Sequence, residues 1–150
     1  MDWEAARAWR AALGNRTLVF TNGVFDLLHP GHVDVLLGAR AAGGALVVGL
    51  NADESVRRLK GSSRPVRSEA DRAYVLAALE CVDAVVVFRE DTPLELIRAL
   101  RPEVLVKGGD YTEASIVGAP DVRGWGGRVV VVPLTPGQST TSIVEKLRGN

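Results

Sequence analysis

The two histidines of this chain, His29 and His32, lie in one short polar segment that follows an apolar run. Pro30 between them suits the first position of a helix, which places His29 near the helix cap and His32 in the first turn. A helix N-terminus carries about +0.5 of a charge. Two imidazoles there could donate hydrogen bonds to negative charge on a phosphate. The segment Phe20–His32 therefore predicts a phosphate site and a nucleotide-handling enzyme.

Two other interpretations of the histidine pair stay open. One or both imidazoles could do no more than cap the helix. A zinc site is the other interpretation, but the segment offers no further cysteine or histidine as a ligand. The single cysteine, Cys81, has no histidine near it in sequence, which makes it a weak candidate for a nucleophile. It also has no partner for an intrachain disulfide, which favours a reducing compartment.

The overall composition narrows the class of protein. The chain has 150 residues, which suits a single domain spanning 1–150. Its formal net charge is zero, whereas nucleic-acid binders usually carry a basic excess, so we expect no nucleic-acid partner. No apolar run approaches the roughly 20 residues that a membrane span needs. The acidic residues near the N-terminus are not typical of a secretory signal. We expect a cytoplasmic protein with no membrane partner.

Secondary structure alternates along the chain. Short apolar runs rich in β-branched residues predict buried strands at Thr17–Thr21, Ala45–Leu50, Ala84–Phe88, Val104–Lys107 and Arg128–Pro133. Periodicity and capping residues predict helices at Val33–Ala42, at Ser68–Glu80, after a Thr92 N-cap with Pro93 in the first position, and at Ser139–Leu147. The segment Gly118–Gly127 predicts a loop or a short helix around Asp121–Trp125. Such alternation indicates an α/β protein with a parallel sheet covered on both faces.

Three segments that combine glycine with polar side chains follow predicted strand ends: Asn22–His32, Gly108–Tyr111 and Thr135–Ser142. Open parallel sheets bind ligands outside the carboxyl ends of their strands, so we expect these segments to meet in one site. Glycine lets backbone amides approach a ligand closely.

These residues carry a resemblance to a known family. Gly23–His32 resembles the first signature of the cytidylyltransferase-like nucleotidyltransferases, and Gly137–Ile143 resembles their second signature, a serine- and threonine-rich loop that opens the last helix. The resemblance covers nearly the whole chain. It implies a Rossmann-like, doubly wound fold whose five parallel strands follow the order 3-2-1-4-5. That order places the histidine segment and Lys107–Tyr111 on neighbouring strands, at the switch point where ligands bind.

Within this family the chain most resembles the adenylyltransferase domains of ADP-heptose synthesis, in a stand-alone form. The segments that carry this resemblance are Leu59–Val66, Asp71–Asp83 and Val104–Tyr111. The implied reaction transfers an adenylyl group from ATP to a sugar 1-phosphate, with D-glycero-D-manno-heptose 1-phosphate as the expected acceptor, and releases pyrophosphate.

Two alternatives to that reaction stay open. CTP:glycerol-3-phosphate cytidylyltransferases are the near rivals, but they generally carry an arginine shortly before the second signature, where this chain has Leu134–Gly137. A non-catalytic nucleotide-binding module is an alternative of another class, and it predicts nucleotide binding without pyrophosphate release.

The resemblance also implies roles for individual residues. His29, His32 and Lys60 are the expected catalytic residues, and the histidines would stabilise the transition state at the α-phosphorus without a covalent intermediate. Asp110 would contact the ribose, and Ser139–Thr141 the β- and γ-phosphates. The full nucleotide-binding set is Thr21, Asn22, Gly23, Phe25, His29, His32, Lys107, Gly108, Asp110, Gln138, Ser139, Thr140 and Thr141.

The acceptor and the remaining partners are implied in the same way. Asp26, Lys60 and Arg72 are expected to bind the sugar phosphate, although Asp26 could instead orient its turn, Lys60 could be solvated, and Arg72 could pair on a helix face. Mg²⁺ would enter with the triphosphate, with no metal site of its own on the protein. Relatives commonly form dimers, so a homodimer is expected.

Overall fold

The structure is a computed structural model that describes residues 1–109 and 111–149. Its sheet contains β1 (Leu18–Gly23), β2 (Ala45–Asn51), β3 (Ala84–Phe88), β4 (Val104–Gly108) and β5 (Arg128–Val132). The strands are parallel and lie in the order β3-β2-β1-β4-β5. The expected α/β class and the strand order 3-2-1-4-5 are therefore confirmed.

Helices connect these strands on both faces of the sheet. They are α1 (Trp3–Ala12), α2 (Pro30–Ala41), α3 (Asp53–Lys60), α4 (Glu69–Ala77), α5 (Leu94–Leu100), α6 (Ala119–Gly124) and α7 (Thr140–Leu147). A 3₁₀ turn lies at Glu113–Ser115. Within residues 1–109 and 111–149, none of them combines the length and the apolar character needed to cross a membrane.

Some helix boundaries differ from the sequence-based expectation. The prediction of Thr92 as N-cap is wrong, because α5 begins at Leu94 with Pro93 at its cap. The Thr92 hydroxyl instead accepts a hydrogen bond from the Leu94 amide at 3.4 Å, inside the turn before the helix. The helix expected at Ser68–Glu80 ends at Ala77.

Helix α3 was not anticipated, because its eight residues are mostly charged and offer too few apolar positions to show a period. Helix α1 was not anticipated either. It begins after Asp2, whose side chain caps the Ala5 amide at 2.7 Å.

The core consists of two apolar layers, one on each face of the sheet. One layer joins the strands to α1, α5 and α6 and includes Leu18, Phe20, Val47, Val86, Phe88, Leu96, Ile97 and Leu105. The other joins them to α2 and α4 and includes Val19, Leu36, Leu46, Val48, Leu76, Val85 and Val106. Every residue of β2 is buried, which explains why its sequence is a continuous apolar run rather than an alternating one. Each fully buried Leu, Val or Phe side chain stabilises the fold by about 1.5–3 kcal/mol.

Candidate active site

A cleft of about 530 Å³ opens at the carboxyl edge of the sheet. Its walls come from the ends of β1 and β4, the N-termini of α2 and α7, and the chain around the end of α3. The predicted site residues that line it are Thr21, Asn22, Gly23, Phe25, Asp26, His29, His32, Lys60, Lys107, Gly108, Gln138, Ser139, Thr140 and Thr141. The three glycine-containing segments thus meet in one place. Asp110 lies outside the described residues.

The histidine pair opens α2 and caps it. The Nδ1 atom of His29 accepts a hydrogen bond from the Gly31 amide at 3.1 Å, and Nδ1 of His32 accepts one from the His29 amide at 3.3 Å. The two rings stack with their centroids 3.8 Å apart. Because both Nδ1 atoms act as acceptors, each neutral ring carries its proton on Nε2. Capping therefore fixes the tautomer that can donate to a ligand, and the two roles coexist.

Both imidazoles are neutral near pH 7. Burial lowers the pKa of His29 below its usual value. Burial, together with the neighbouring His29, lowers the pKa of His32 to about 4, although Asp26 acts in the opposite direction. The pair consequently presents two N–H donors to the cleft without carrying a charge of its own.

Gly31 fits between the histidines and the second signature because it has no side chain. A Cβ atom at this position would lie 2.8 Å from Cε1 of His29 and 3.2 Å from Cβ of Gln138. Gly108, at the end of β4, has a similar restriction, since its Cβ would overlap a methyl group of Val35 on α2. These two glycines let α2 approach both β4 and the last loop.

The loop between β1 and α2 has a strained backbone conformation that hydrogen bonds to a neighbouring loop hold in place. Phe25 and Leu27 have φ angles of 49° and 52°, a left-handed conformation that costs of order 1–3 kcal/mol for a residue other than glycine. Between them, the buried Asp26 carboxylate accepts hydrogen bonds from the Val66 and Arg67 amides at 2.7 and 3.0 Å. These bonds show that Asp26 orients the loop, one of the two roles that the sequence left open.

Thr140 joins the second signature to the first. Its hydroxyl donates to the carbonyl oxygen of Asp26 at 2.6 Å. Ser139 is the N-cap of α7, with its Oγ accepting from the Ser142 amide at 2.9 Å. The N-terminus of α7 is thereby fixed beside the histidine loop, and Ser139–Thr141 face the same cleft. Helix N-termini attract anions through their free amides and their dipole.

Arg72 does not line the cleft, so the structure does not place it where it was expected to contact the sugar phosphate. Its guanidinium is buried and donates to the carbonyl oxygens of Val24 and Asn51, both at 2.8 Å, and of Arg67 at 2.9 Å. It also pairs with the Asp53 carboxylate at 2.7 Å. With these partners the side chain holds the loop in place rather than a ligand.

The cleft contains two lysines in different environments. Lys107 is partly buried, which lowers the pKa of its ammonium group, and its Nζ lies 5.3 Å from the centre of the Tyr111 ring. Lys60 lies at the exposed end of α3. The two lysines therefore lie on opposite sides of β1, because Lys60 ends the helix that follows β2 whereas Lys107 belongs to β4.

Several residues outside the three predicted segments, with no predicted role, also line the cleft: Arg64, Asp91, Pro93 and Leu134. Arg64 lies in a loop without periodicity, and the resemblance carried by Leu59–Val66 implied no role for this residue. Among the described residues there is no cluster of three His, Cys, Asp or Glu side chains suited to hold a metal. The expectation that Mg²⁺ enters with the nucleotide stays a prediction.

The sheet and the cleft together are typical of one class of enzyme. A parallel sheet in this order, with two helix N-termini and a neutral pair of histidine donors around one cleft, is the architecture of an α/β nucleotidyltransferase. The family model described as cytidylyltransferase-like matches residues 20–146, and the chain belongs to that family. It is accordingly a nucleotidyltransferase enzyme.

Individual relatives agree with this assignment. The chain is 62% identical over 145 residues to the bifunctional protein HldE of Acidiphilium cryptum, a match that covers 97% of this chain and 29% of the relative. The HldE protein of Geotalea uraniireducens is also 62% identical, over 89% of this chain and 27% of its own length. The chain thus spans less than a third of these curated relatives.

Two solved structures share the fold. A lipopolysaccharide core biosynthesis protein from Thermoplasma volcanium superposes with a TM-score of 0.66 at 27% identity, covering 81% of this chain and 98% of that one. A pantoate-beta-alanine ligase from Francisella tularensis superposes with the same TM-score at 14% identity, which shows the fold alone.

Proposed function

We propose that this nucleotidyltransferase transfers an adenylyl group from ATP to a sugar 1-phosphate, D-glycero-D-manno-heptose 1-phosphate, and releases pyrophosphate. The observation that carries the transfer step is the stacked pair of His29 and His32, whose Nδ1 atoms are both occupied by backbone amides. Their Nε2–H groups can therefore donate to a ligand in the cleft that the N-terminus of α7 also lines.

Several observations support this acceptor and this nucleotide. The segments Leu59–Val66, Asp71–Asp83 and Val104–Tyr111 resemble the adenylyltransferase domains of ADP-heptose synthesis. The HldE relatives match nearly the whole chain at high identity. A solved structure of similar size is a lipopolysaccharide core biosynthesis protein. Leu134 occupies the region where glycerol-3-phosphate cytidylyltransferases carry an arginine.

The proposed step is a direct displacement. An oxygen of the sugar phosphate attacks the α-phosphorus of ATP while the bond to the β-phosphate oxygen breaks, so pyrophosphate leaves and the product is an ADP-sugar. The Nε2–H groups of His29 and His32 donate to the oxygens on which charge develops. Ser139, Thr140 and Thr141 bind the β- and γ-phosphates at the N-terminus of α7. Catalysis of this type depends on positioning and charge stabilisation rather than on a nucleophile of the protein.

Mg²⁺ would be held mainly by the triphosphate. Among the described residues that line the cleft, Asp91 has an exposed carboxylate, which pairs with Arg58. The Asp26 carboxylate is buried and already accepts hydrogen bonds from the protein, so it is not free to contact the cation. When bound, the cation would neutralise charge on the phosphates.

The proposed homodimer and the cytoplasmic location remain predictions. Light scattering of the purified chain tests whether it forms a dimer.

A matrix of substrates tests the proposed function. Pyrophosphate release is measured for ATP, CTP, GTP and UTP, each with several sugar 1-phosphates and with glycerol 3-phosphate. We expect the highest kcat/KM for ATP with the heptose 1-phosphate. Turnover of CTP with glycerol 3-phosphate and none of ATP with any sugar 1-phosphate would establish the rival reaction. Nucleotide binding without any pyrophosphate release would favour the alternative that the protein is a non-catalytic nucleotide-binding module.

A further inference from the structure

The guanidinium of Arg64 lines the cleft but has little to bind there. Its side chain is 11% exposed, and Nε lies 3.4 Å from Oδ2 of Asp26, a long contact. Across residues 1–109 and 111–149, neither terminal nitrogen of this guanidinium makes a hydrogen bond to the protein. Because an arginine carries five N–H donors, those on the terminal nitrogens remain available to a ligand.

Asp26 supplies a counter-charge for Arg64, but their ion pair leaves most of the guanidinium donors without an acceptor. Asp26 is the carboxylate that contacts it, but shorter bonds to the Val66 and Arg67 amides already engage both Asp26 oxygens. Largely buried N–H donors without an acceptor are costly. The planar guanidinium suits a phosphate, which it can bind through two parallel hydrogen bonds. An anion in the cleft would therefore complete this arrangement.

The position of Arg64 in the fold indicates which anion it meets. It follows α3 and so lies on the β2 side of the histidine loop, whereas Lys107 and Ser139–Thr141 come from the β4 and β5 side. The proposed nucleotide triphosphate occupies the latter side. In a direct displacement the attacking group and the leaving pyrophosphate lie on opposite sides of the α-phosphorus. The β2 side is then the side of the acceptor.

We propose that Arg64, held by Asp26, forms with Lys60 the subsite that binds the phosphate group of the acceptor. The ligand class is a phosphate monoester such as a sugar 1-phosphate. This assignment rests on the proposed function, because it identifies the anion as the acceptor of the transfer. Asp26 acts here as a positioning residue: it fixes both the strained loop and the arginine.

Steady-state kinetics of Arg64→Gln and Arg64→Lys test the subsite. Loss of hydrogen bonds from a charged donor predicts a KM for the sugar 1-phosphate about 10- to 100-fold higher in Arg64→Gln. Arg64→Lys keeps the charge without the planar donor pair and is expected to have an intermediate KM. The KM for ATP is expected to stay within about twofold in both variants, because the triphosphate uses other groups.

Arg67→Gln is the matched control. Arg67 lies in the same loop, but its side chain is 57% exposed, lies 3.9 Å from Asp71 and does not line the cleft. Its substitution removes the same charge and is expected to change neither KM. A rise in the KM for ATP with no change for the acceptor would overturn the proposal. Unchanged kinetics in Arg64→Gln would also overturn it.

A binding measurement separates this proposal from the proposed function. Inorganic phosphate is titrated by calorimetry into the nucleotide-free wild type, Arg64→Gln and Arg67→Gln. We expect binding to the wild type and to Arg67→Gln, and weaker binding to Arg64→Gln. If the wild type turns over no sugar phosphate but shows this binding pattern, the proposed function fails and the anion subsite stands. Equal binding by all three proteins would refute the subsite. If Arg64→Gln does not fold, Arg64→Lys decides by the same comparisons.

Discussion

The two ring nitrogens of each histidine have separate roles in this site. Nδ1 of His29 and of His32 caps α2, and Nε2 is left for the phosphate. The sequence predicted the pair, its place at the helix start and Pro30 in the first helical position. The lowered pKa values could not be read from the sequence, because they come from burial and, for His32, also from the electrostatic effect of the neighbouring His29.

Replacement of His29 by asparagine separates capping from catalysis. Asparagine is a good N-cap, so the midpoint of thermal unfolding is expected to stay near the wild-type value. The donor to the α-phosphate is lost, and kcat is expected to fall about 10²- to 10³-fold. His29→Ala, which lacks both functions, should lose stability as well, by about 0.5–2 kcal/mol. An unchanged kcat in His29→Asn would mean that His29 only caps the helix.

The lowered pKa values predict how the stability depends on pH. Below the ordinary histidine pKa of 6.5, the unfolded chain binds protons that the folded chain excludes until His32 titrates at about 4. Protonation in this window therefore favours unfolding, and stability is lost as the pH falls from 6.5 towards 4. Urea unfolding at pH 7.5 and pH 5 measures the effect. His32→Gln should flatten this pH dependence, and an equally steep dependence in the variant would assign the effect to other groups.

At the scale of elements, two loops and two helix starts build the site. Asp26 ties the loop after β1 to residues 66 and 67, and Thr140 ties α7 to the same loop. The strands and the starts of α2 and α7 were predictable, because apolar runs and capping residues leave local signals. Helix α3 left none, since it is short and charged. The buried contacts of Arg72 are long-range, so its sequence neighbourhood did not distinguish a ligand contact from a structural one.

Gly31 allows a test at this scale. Alanine normally stabilises a helix interior relative to glycine, by about 1 kcal/mol. At this position, however, the new Cβ would lie 2.8 Å from the His29 ring. We expect Gly31→Ala to lower kcat by displacing the imidazole while the protein remains folded. Gly124→Ala in α6 is the matched control, because nothing lies within 4 Å of its Cβ position. Equal activities of both variants and the wild type would show that this spacing is unimportant.

At the scale of the whole molecule, the strand order determines where the substrates meet. Because β1 lies between β2 and β4, the histidine loop lies between the segment after α3 and the end of β4. The order itself came from the resemblance to a family and could not be derived from the composition or period of the strands. The sheet thus separates a proposed acceptor side from a proposed nucleotide side, with the histidines between them.

In the proposed reaction, this cleft transfers the α-phosphoryl group of a nucleotide together with its nucleoside. The most direct measurement incubates the protein and a sugar 1-phosphate with ATP labelled with ³²P at either the α- or the γ-position, and separates the products. We expect the α-label in a nucleotide sugar and the γ-label in pyrophosphate. A γ-label in the sugar product, or no label in any product, would contradict the proposed reaction.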